Sequence, residues 1–235
     1  MERRTVHVAV YDTFADWEPA YATTALAGAG HHVVYVGESG EPVISMGGMR
    51  VTPHLSIADL RPGDSALLIL PGADAWEQVL PPFAGAARRF LDAGVPVAAI
   101  CGAVTGLAKE GLLDDRDHTG AAAEVLAATG YRGGGRYREA DACTDGDLIT
   151  AGPTEPVAFA REILTRLAAH PAEVTDAWFR LFRHSDAAAY ETLTAYENGG
   201  AGGDGGAGGT GGSGEDGGAA AVRGAHGAHP GGGAA

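Results

Sequence analysis

The sequence predicts an α/β protein with a mostly parallel central sheet and helices on both faces, and three observations carry this prediction. Segments with strand character alternate with segments of helical character along most of the chain. Two strand segments, 65–72 and 95–101, contain near-continuous apolar runs, which are typical of strands covered on both faces. Glycine and proline residues punctuate the boundaries between the segments.

The individual elements follow from short-range patterns. Strands are predicted at 5–11, 31–37, 65–72 and 95–101, a Gly-turned hairpin at 41–54, and two short strands within 139–153. Helices are predicted at 12–30, 74–94 with an interruption near its two prolines, 102–113, 119–130 and 155–170, with a helical pair within 172–197. Thr13 or Asp16 is expected to cap the first helix, which Gly28 and Gly30 end.

Composition divides the chain into three parts. Residues 1–170 are predicted to form the α/β domain, and 171–198 a helical extension packed on that domain or on a partner. In 199–235, glycine makes up 18 of the 37 residues and valine occurs once. Such a segment buries too little apolar surface to offset its ordering entropy, so a disordered tail is predicted.

Charge and hydropathy exclude several classes of function. The net charge is −14 and no basic stripe is visible, which argues against nucleic-acid binding. No apolar run reaches about 18 residues, so no membrane span is expected. Cys101 and Cys143 stand in unrelated contexts and suggest reduced thiols in a cytoplasmic protein. No metal-ligand or nucleotide motif appears, and neither a metal nor another cofactor is expected.

Three features fall where the predicted parallel strands end, which is the edge at which reactive groups gather in such sheets. They are Glu18, the segment 71–74 and Cys101. A sharp strand-to-helix turn would expose the Cys101 side chain, and the amino end of the following helix would favour its thiolate. The alternative is that Cys101 is a small buried apolar residue, a common fate of free cysteine.

Glu18 and the backbone at 71–74 supply partners for this thiol. If Glu18 faces the sheet edge, the carboxyl and the thiol titrate as a coupled pair, and a protonated Glu18 shuttles a proton. The N–H groups of Gly72, Ala73 and Gly102 are candidates for an oxyanion hole. The alternatives are an ordinary exposed helical glutamate and a plain β-to-α turn.

Four segments together carry a family resemblance: YDTFADWEPA, LILPGADAWE, AAICGAVTGLAKEGLLDDRDHT, and the stretch from GYRGGGRYREADACTDGD to FAREIL. The chain resembles the ThiJ/PfpI superfamily of class I glutamine-amidotransferase-like proteins, and most closely its type 1 glutamine amidotransferase subgroup. The resemblance implies a flavodoxin-like three-layer α/β sandwich, a nucleophile-elbow cysteine at Cys101 with an adjacent glutamate at Glu18, and a homodimer.

The chain departs from the family pattern at its histidines. Many members carry a histidine directly after the nucleophile, where this chain has Gly102. His118 lies two or three residues before the position of another family histidine, and it is the candidate for a third catalytic residue. The late segment carries Glu155 without a histidine, so no complete Cys-His-Glu triad is visible.

These features lead to one principal hypothesis of function and three alternatives. The principal hypothesis is an enzyme acting on a small-molecule substrate, a hydrolase, hydratase or glyoxalase-type enzyme, with Cys101 as nucleophile and Glu18 as acid and base. The first alternative is a cysteine-based oxidative-stress sensor or protein-stress factor without turnover. A glutamine amidotransferase is less supported, and a pseudoenzyme that binds a partner through its C-terminal helices is the third alternative.

Overall fold

The computed structural model of the chain describes residues 5–74 and 76–200. Strands within this part form one seven-stranded sheet and one two-stranded sheet. Their bounds are β1 (Thr5–Ala9), β2 (His32–Gly37), β3 (Val43–Ile44), β4 (Arg50–Val51), β5 (Leu55–Ser56), β6 (Leu67–Leu70), β7 (Val97–Ile100), β8 (Ala142–Asp145) and β9 (Leu148–Ala151).

The large sheet has the strand order β5-β2-β1-β6-β7-β9-β8. Each neighbouring pair is parallel except β8 and β9, which form an antiparallel hairpin at one edge. The predicted mostly parallel sheet is therefore confirmed. All parallel strands end at the same edge, so the segments that follow β1, β6 and β7 meet there.

Helices cover both faces of this sheet, which gives three layers. The helices of the described part are α1 (Trp17–Gly28), α2 (Trp76–Val79), α3 (Pro81–Asp92), α4 (Gly102–Lys109), α5 (Ala123–Ala127), α6 (Pro156–Arg166), α7 (Ala172–His184) and α8 (Ala187–Gly200). Helices α1 and α6 pack together on one face, and α3 and α4 contribute to the core on the other. The flavodoxin-like sandwich is confirmed.

Strand β6 shows how an apolar run produces this arrangement. Leu67 and Ile69 pack into the core beside α1 and α6, and Leu68 and Leu70 pack into the core beside α3 and α4. All four side chains are fully buried. Successive side chains of a strand point to opposite faces, so a strand between two helical layers must be apolar at every position.

Several local features differ from the sequence-based predictions. Strand β5 was not predicted, since it is two residues long and carries no periodicity. Helix α5 covers five residues of the predicted 119–130. Asp16 does stand at the start of α1, but its side chain makes no capping bond. It accepts hydrogen bonds from the Ser45 hydroxyl and, at 3.1 Å, the Gly47 N–H, and so holds the β3–β4 hairpin against the start of α1.

The C-terminal helices pack on the α/β core of the same chain. Helix α7 lies against α6, and α8 lies against α7. Tyr21 of α1 makes edge contacts with the rings of Trp178 and Phe182, at centroid distances of 6.1 and 5.7 Å. Helix α8 extends to Gly200, and the rest of the predicted tail lies outside the described residues. Within the described part, no helix has the length and apolarity needed to cross a membrane.

Candidate active site around Cys101

Cys101 lies directly after β7 and immediately before α4. Its backbone has φ 59° and ψ −127°, a conformation that favours glycine and strains other residues. Two hydrogen bonds hold it there: the Cys101 N–H donates to the Ala151 carbonyl at 3.1 Å, and the Val104 N–H donates to the Cys101 carbonyl at 3.1 Å. The side chain is partly exposed. Cys101 therefore has the strained, accessible corner geometry of a nucleophile elbow.

Glu18 is buried at the same edge of the sheet. It lies in the first turn of α1, and only 1% of its surface is exposed. The carboxyl oxygen Oε2 accepts the N–H of Gly72 at 2.5 Å. The other oxygen, Oε1, is buried and has no hydrogen-bond partner in the geometry of the described residues. One carboxyl oxygen is thus fixed, and the other retains its capacity to accept or carry a proton.

Gly72 lies between the carboxyl and the thiol. A Cβ atom added to Gly72 would lie 2.9 Å from Cys101 Cβ, 3.0 Å from Cys101 Sγ and 3.0 Å from the Gly102 nitrogen. The absence of a side chain at Gly72 therefore permits the approach of Cys101 to this loop. Because the Gly72 N–H also holds Glu18, the loop brings the two functional groups together.

The two groups shift each other's protonation. Burial raises the pKa of Glu18 from 4.5 to about 7, while the Gly72 N–H and the neighbouring Cys101 side chain act in the opposite direction. Burial and the negative charge of Glu18 raise the pKa of the Cys101 thiol from 9.0 to about 12, while the Gly102 N–H lowers it. The helix end does favour the thiolate, but burial and the neighbouring carboxylate outweigh it. The net effect is a thiol whose pKa is raised, although the helix end acts in the expected direction.

The three predicted oxyanion donors have different partners. The Gly72 N–H donates to Glu18, so it is not available to a substrate oxygen in this arrangement. The Gly102 N–H lies close enough to the Cys101 thiol to lower its pKa. Ala73 forms an isolated antiparallel bridge with Phe14, and its N–H makes no hydrogen bond with another described residue. Ala73 and Gly102 therefore remain as candidate donors.

The third predicted catalytic residue, His118, lies apart from this pair. It is fully buried. Its Nδ1 lies 2.7 Å from the Arg116 carbonyl, its Nε2 lies 3.0 Å from the Tyr131 hydroxyl, and its ring also contacts Tyr137. Among the described residues, no hydrogen bond or ring contact joins it to Cys101 or Glu18. Both ring nitrogens are thus committed to the loops that follow α4 and α5.

Tyr11 is a residue of the site that the sequence analysis missed. Its hydroxyl donates to the Pro71 carbonyl, one residue before Gly72, and its ring packs on Phe83. Burial, Glu18 and Cys101 raise its pKa well above the ordinary value, so the hydroxyl stays protonated. Tyr11 is the last residue of the predicted strand 5–11, and an aromatic residue is ordinary there. Its partner is sixty residues away in the sequence, so no local signal marks it.

The other cysteine and the histidines offer no second centre of this kind. Cys143 is half-buried in the edge strand β8, and burial together with nearby carboxylates raises its pKa. Within 5–74 and 76–200, no group of three or more histidine, cysteine or carboxylate side chains is placed to hold a metal ion.

A family model described as the DJ-1/PfpI family matches residues 4–166, which include the whole site. The chain belongs to this family. The expected ThiJ/PfpI resemblance is therefore confirmed, and the strained Cys101 corner is the geometry that the resemblance implied.

Relatives extend this assignment beyond the family model. The chain is 32% identical over 192 residues to the uncharacterized protease YoaZ of Bacillus subtilis, covering 77% of this chain and 91% of that protein. Two solved family structures are similar. The ThiJ/PfpI family protein from Bacillus anthracis has a TM-score of 0.79 and 30% identity, covering 83% of this chain and 97% of its own. The DJ-1 superfamily protein Atu0886 from Agrobacterium tumefaciens has a TM-score of 0.71 and 38% identity, covering 76% and 96%.

Proposed function

We propose that this DJ-1/PfpI family member is a cysteine-dependent enzyme that converts small reactive carbonyl compounds by glyoxalase-type chemistry. The observation that carries the proposal is the pairing of Cys101 with Glu18. The carboxyl has its pKa near 7, and it faces a thiol whose pKa is about 12. A general base with a pKa near the working pH is the most effective one for such a thiol.

The pair can complete this reaction without a second base. Glu18 takes the thiol proton as the Cys101 sulfur bonds to the aldehyde carbon of a 2-oxoaldehyde, and it returns that proton to the new oxyanion. Glu18 then removes the hydrogen of the former aldehyde carbon and delivers it to the adjacent carbon, while the hydroxyl proton on the first carbon passes to the oxygen of the second. The product is a 2-hydroxyacyl thioester, which water hydrolyses to a 2-hydroxy acid. One carbon is oxidised and its neighbour is reduced, so no external oxidant is required.

Two other groups support the same chemistry. The N–H groups of Gly102 and Ala73 would stabilise negative charge on the carbonyl oxygen as the sulfur adds. Tyr11 positions the segment that carries Gly72, and Gly72 positions Glu18. Peptide hydrolysis, suggested by the name of the Bacillus subtilis relative, receives less support, because no imidazole pairs with Cys101 among the described residues.

The oxidant-sensor hypothesis also receives less support. Peroxide oxidises the thiolate rather than the thiol, and susceptibility follows thiolate character. Because the raised pKa of Cys101 keeps the thiol protonated near neutral pH, its reaction with peroxide should be slow. The same raised pKa does not prevent addition to a carbonyl, since Glu18 takes the proton during the attack.

The test is turnover of methylglyoxal, measured by loss of substrate and by enzymatic determination of lactate. Wild type should produce lactate, Cys101→Ala should produce none above background, and Glu18→Gln should lose about 100-fold or more in kcat. Cys143→Ala is the matched control, because it removes the other half-buried thiol and should leave the rate unchanged. Absence of turnover in wild type, or equal rates in wild type and Cys101→Ala, would refute the proposal.

A further inference from the structure

A second cavity lies at the opposite edge of the sheet from Cys101, where the strands begin. Its volume is about 470 Å³, a size that accommodates a small organic molecule. Residues just before β6 and just before β7 line it, together with segments that follow three helices. The DJ-1/PfpI assignment and the proposed reaction do not involve this cavity.

The carboxyl ends of three helices meet at this cavity. Ala29 follows α1, Gly94 follows α3, and Ala168 and Ala169 follow α6, and all four residues line the cavity. The carboxyl end of a helix carries a partial negative charge of about half an elementary charge. Three such ends together create a negative potential in the cavity, without a carboxylate being required.

Hydrogen bonds within the wall occupy the N–H groups of these residues and not their carbonyl oxygens. Each of these four residues already donates its N–H: Ala29 to Ala25, Gly94 to Leu91, Ala168 to Thr165 and Ala169 to Leu164. Their carbonyl oxygens accept no backbone hydrogen bond from another described residue. Alanine and glycine have no polar side-chain atoms, so the polar groups that they can offer a ligand are these carbonyl oxygens.

Three polar side chains complete the wall, and the Ser65 hydroxyl among them already donates to a backbone carbonyl. His31 lines the cavity, and its Nδ1 is buried without a hydrogen-bond partner among the described residues. In the neutral tautomer that carries its proton on Nε2, Nδ1 can accept a hydrogen bond. Arg166 also lines the cavity, but its guanidinium is already paired with the Asp147 carboxylate and the Gly146 carbonyl. The remaining unpaired groups are therefore acceptors.

We infer that this cavity binds a protonated amine, whose ammonium group donates to the carbonyls at the three helix ends and to His31. An alkylammonium fits better than a bare metal ion because the cavity is many times larger than an ion. An anion would meet carbonyl oxygens and the negative ends of three helices, and the Arg166 guanidinium is already paired with a carboxylate. The apolar part of the ligand would lie against Pro96 and Leu167.

Isothermal titration at constant ionic strength and pH 8 tests this inference with butylammonium chloride as the probe. Butyrate and butanol are matched controls with the same chain and a different head group. We expect saturable one-to-one binding of butylammonium, with at least tenfold weaker binding of both controls. No saturable binding, or equal binding of all three compounds, would overturn the inference.

Variants separate this cavity from any other amine site. His31→Lys places a permanent ammonium group at the wall and should weaken butylammonium binding at least tenfold, whereas His31→Gln retains an acceptor and should bind. Ala29→Arg supplies a cation from another wall and should give the same loss, and thermal unfolding verifies that each variant folds. Unchanged affinity in both cationic variants would overturn the proposed location.

Discussion

At the scale of single residues, the site depends on a position where a side chain is absent. Gly72 donates its N–H to the Glu18 carboxyl and leaves room for the Cys101 side chain, so one residue sets the placement of both reacting groups. Cys101 itself is held in a strained conformation that its neighbours must enforce. Its chemistry is therefore determined by backbone contacts that a motif search does not reveal.

Substitution of Gly72 by alanine tests this dependence. The new Cβ would lie 2.9–3.0 Å from Cys101 Cβ and Sγ, so either the thiol or the loop must shift. We expect at least a tenfold loss of kcat/KM on methylglyoxal and a destabilisation of about 1–3 kcal/mol. Gly85→Ala in α3 is the control, because a Cβ there has no neighbour within 4 Å and full activity is expected.

At the scale of secondary-structure elements, the loop that follows α5 shows how little the sequence says about packing. Gly133, Gly134 and Gly135 are consecutive and look equivalent. In the structure, a Cβ on Gly133 would lie 2.3 Å from the Leu113 carbonyl oxygen, while the other two have open space around them. The first glycine is thus required by contact with the segment after α4, and the next two are not.

Alanine substitutions at Gly133 and Gly135 give a prediction in which one variant is the control for the other. Gly133→Ala should destabilise the protein by about 1–3 kcal/mol, because the carbonyl that it meets is part of the backbone and cannot rotate away. Gly135→Ala should change stability by less than about 0.5 kcal/mol. Urea unfolding, with m-values compared to exclude a change in the denatured state, measures both. Equal effects of the two substitutions would contradict this account of the loop.

The elements themselves were largely predictable from the sequence, and the reason is physical. Runs of apolar residues predicted the buried parallel strands, and amphipathic periodicity predicted helices such as α6. Strand β5 was not predicted because a two-residue strand shows no periodicity. The hydrogen bonds of the Asp16 side chain were not predicted because their donors lie in a hairpin about thirty residues away.

Two residues of the candidate site, Cys101 and Glu18, could be named from their places at strand ends, whereas Tyr11 could not and His118 lies apart from them. The pKa of the Cys101 thiol was not predictable, because the helix end lowers it while burial and the carboxylate raise it. A helix end is a local signal, whereas burial and the neighbouring carboxylate come from the folded chain. The homodimer and the cytoplasmic location stay predictions, since one protomer's contacts do not address either.

At the scale of the whole molecule, the buried carboxyl links stability to pH. The pKa of Glu18 is about 7 in the folded protein and 4.5 in an exposed chain, so the folded state binds the proton more tightly. This contribution to stability is complete below pH 4.5 and is lost as the pH rises to 7 and above. The linkage amounts to about 3 kcal/mol. Histidines His7, His118 and His170 act in the opposite direction, because burial lowers their pKa values.

The variant Glu18→Gln isolates the carboxyl from these histidines. We expect wild type to lose about 3 kcal/mol of unfolding free energy relative to Glu18→Gln between pH 4.5 and pH 8. Urea unfolding of both proteins across this range gives the difference directly. A constant difference across the range would contradict a raised pKa for Glu18, whatever the absolute stabilities are.

The shared proton of Glu18 and Cys101 has a further consequence for how the site meets its substrate. When the proton moves from sulfur to oxygen, the pair keeps one negative charge and only its position changes, over a distance of a few ångströms. The long-range field at the entrance therefore stays constant during the proton transfer. Dissolved salt should therefore leave the bond-forming step nearly unaffected.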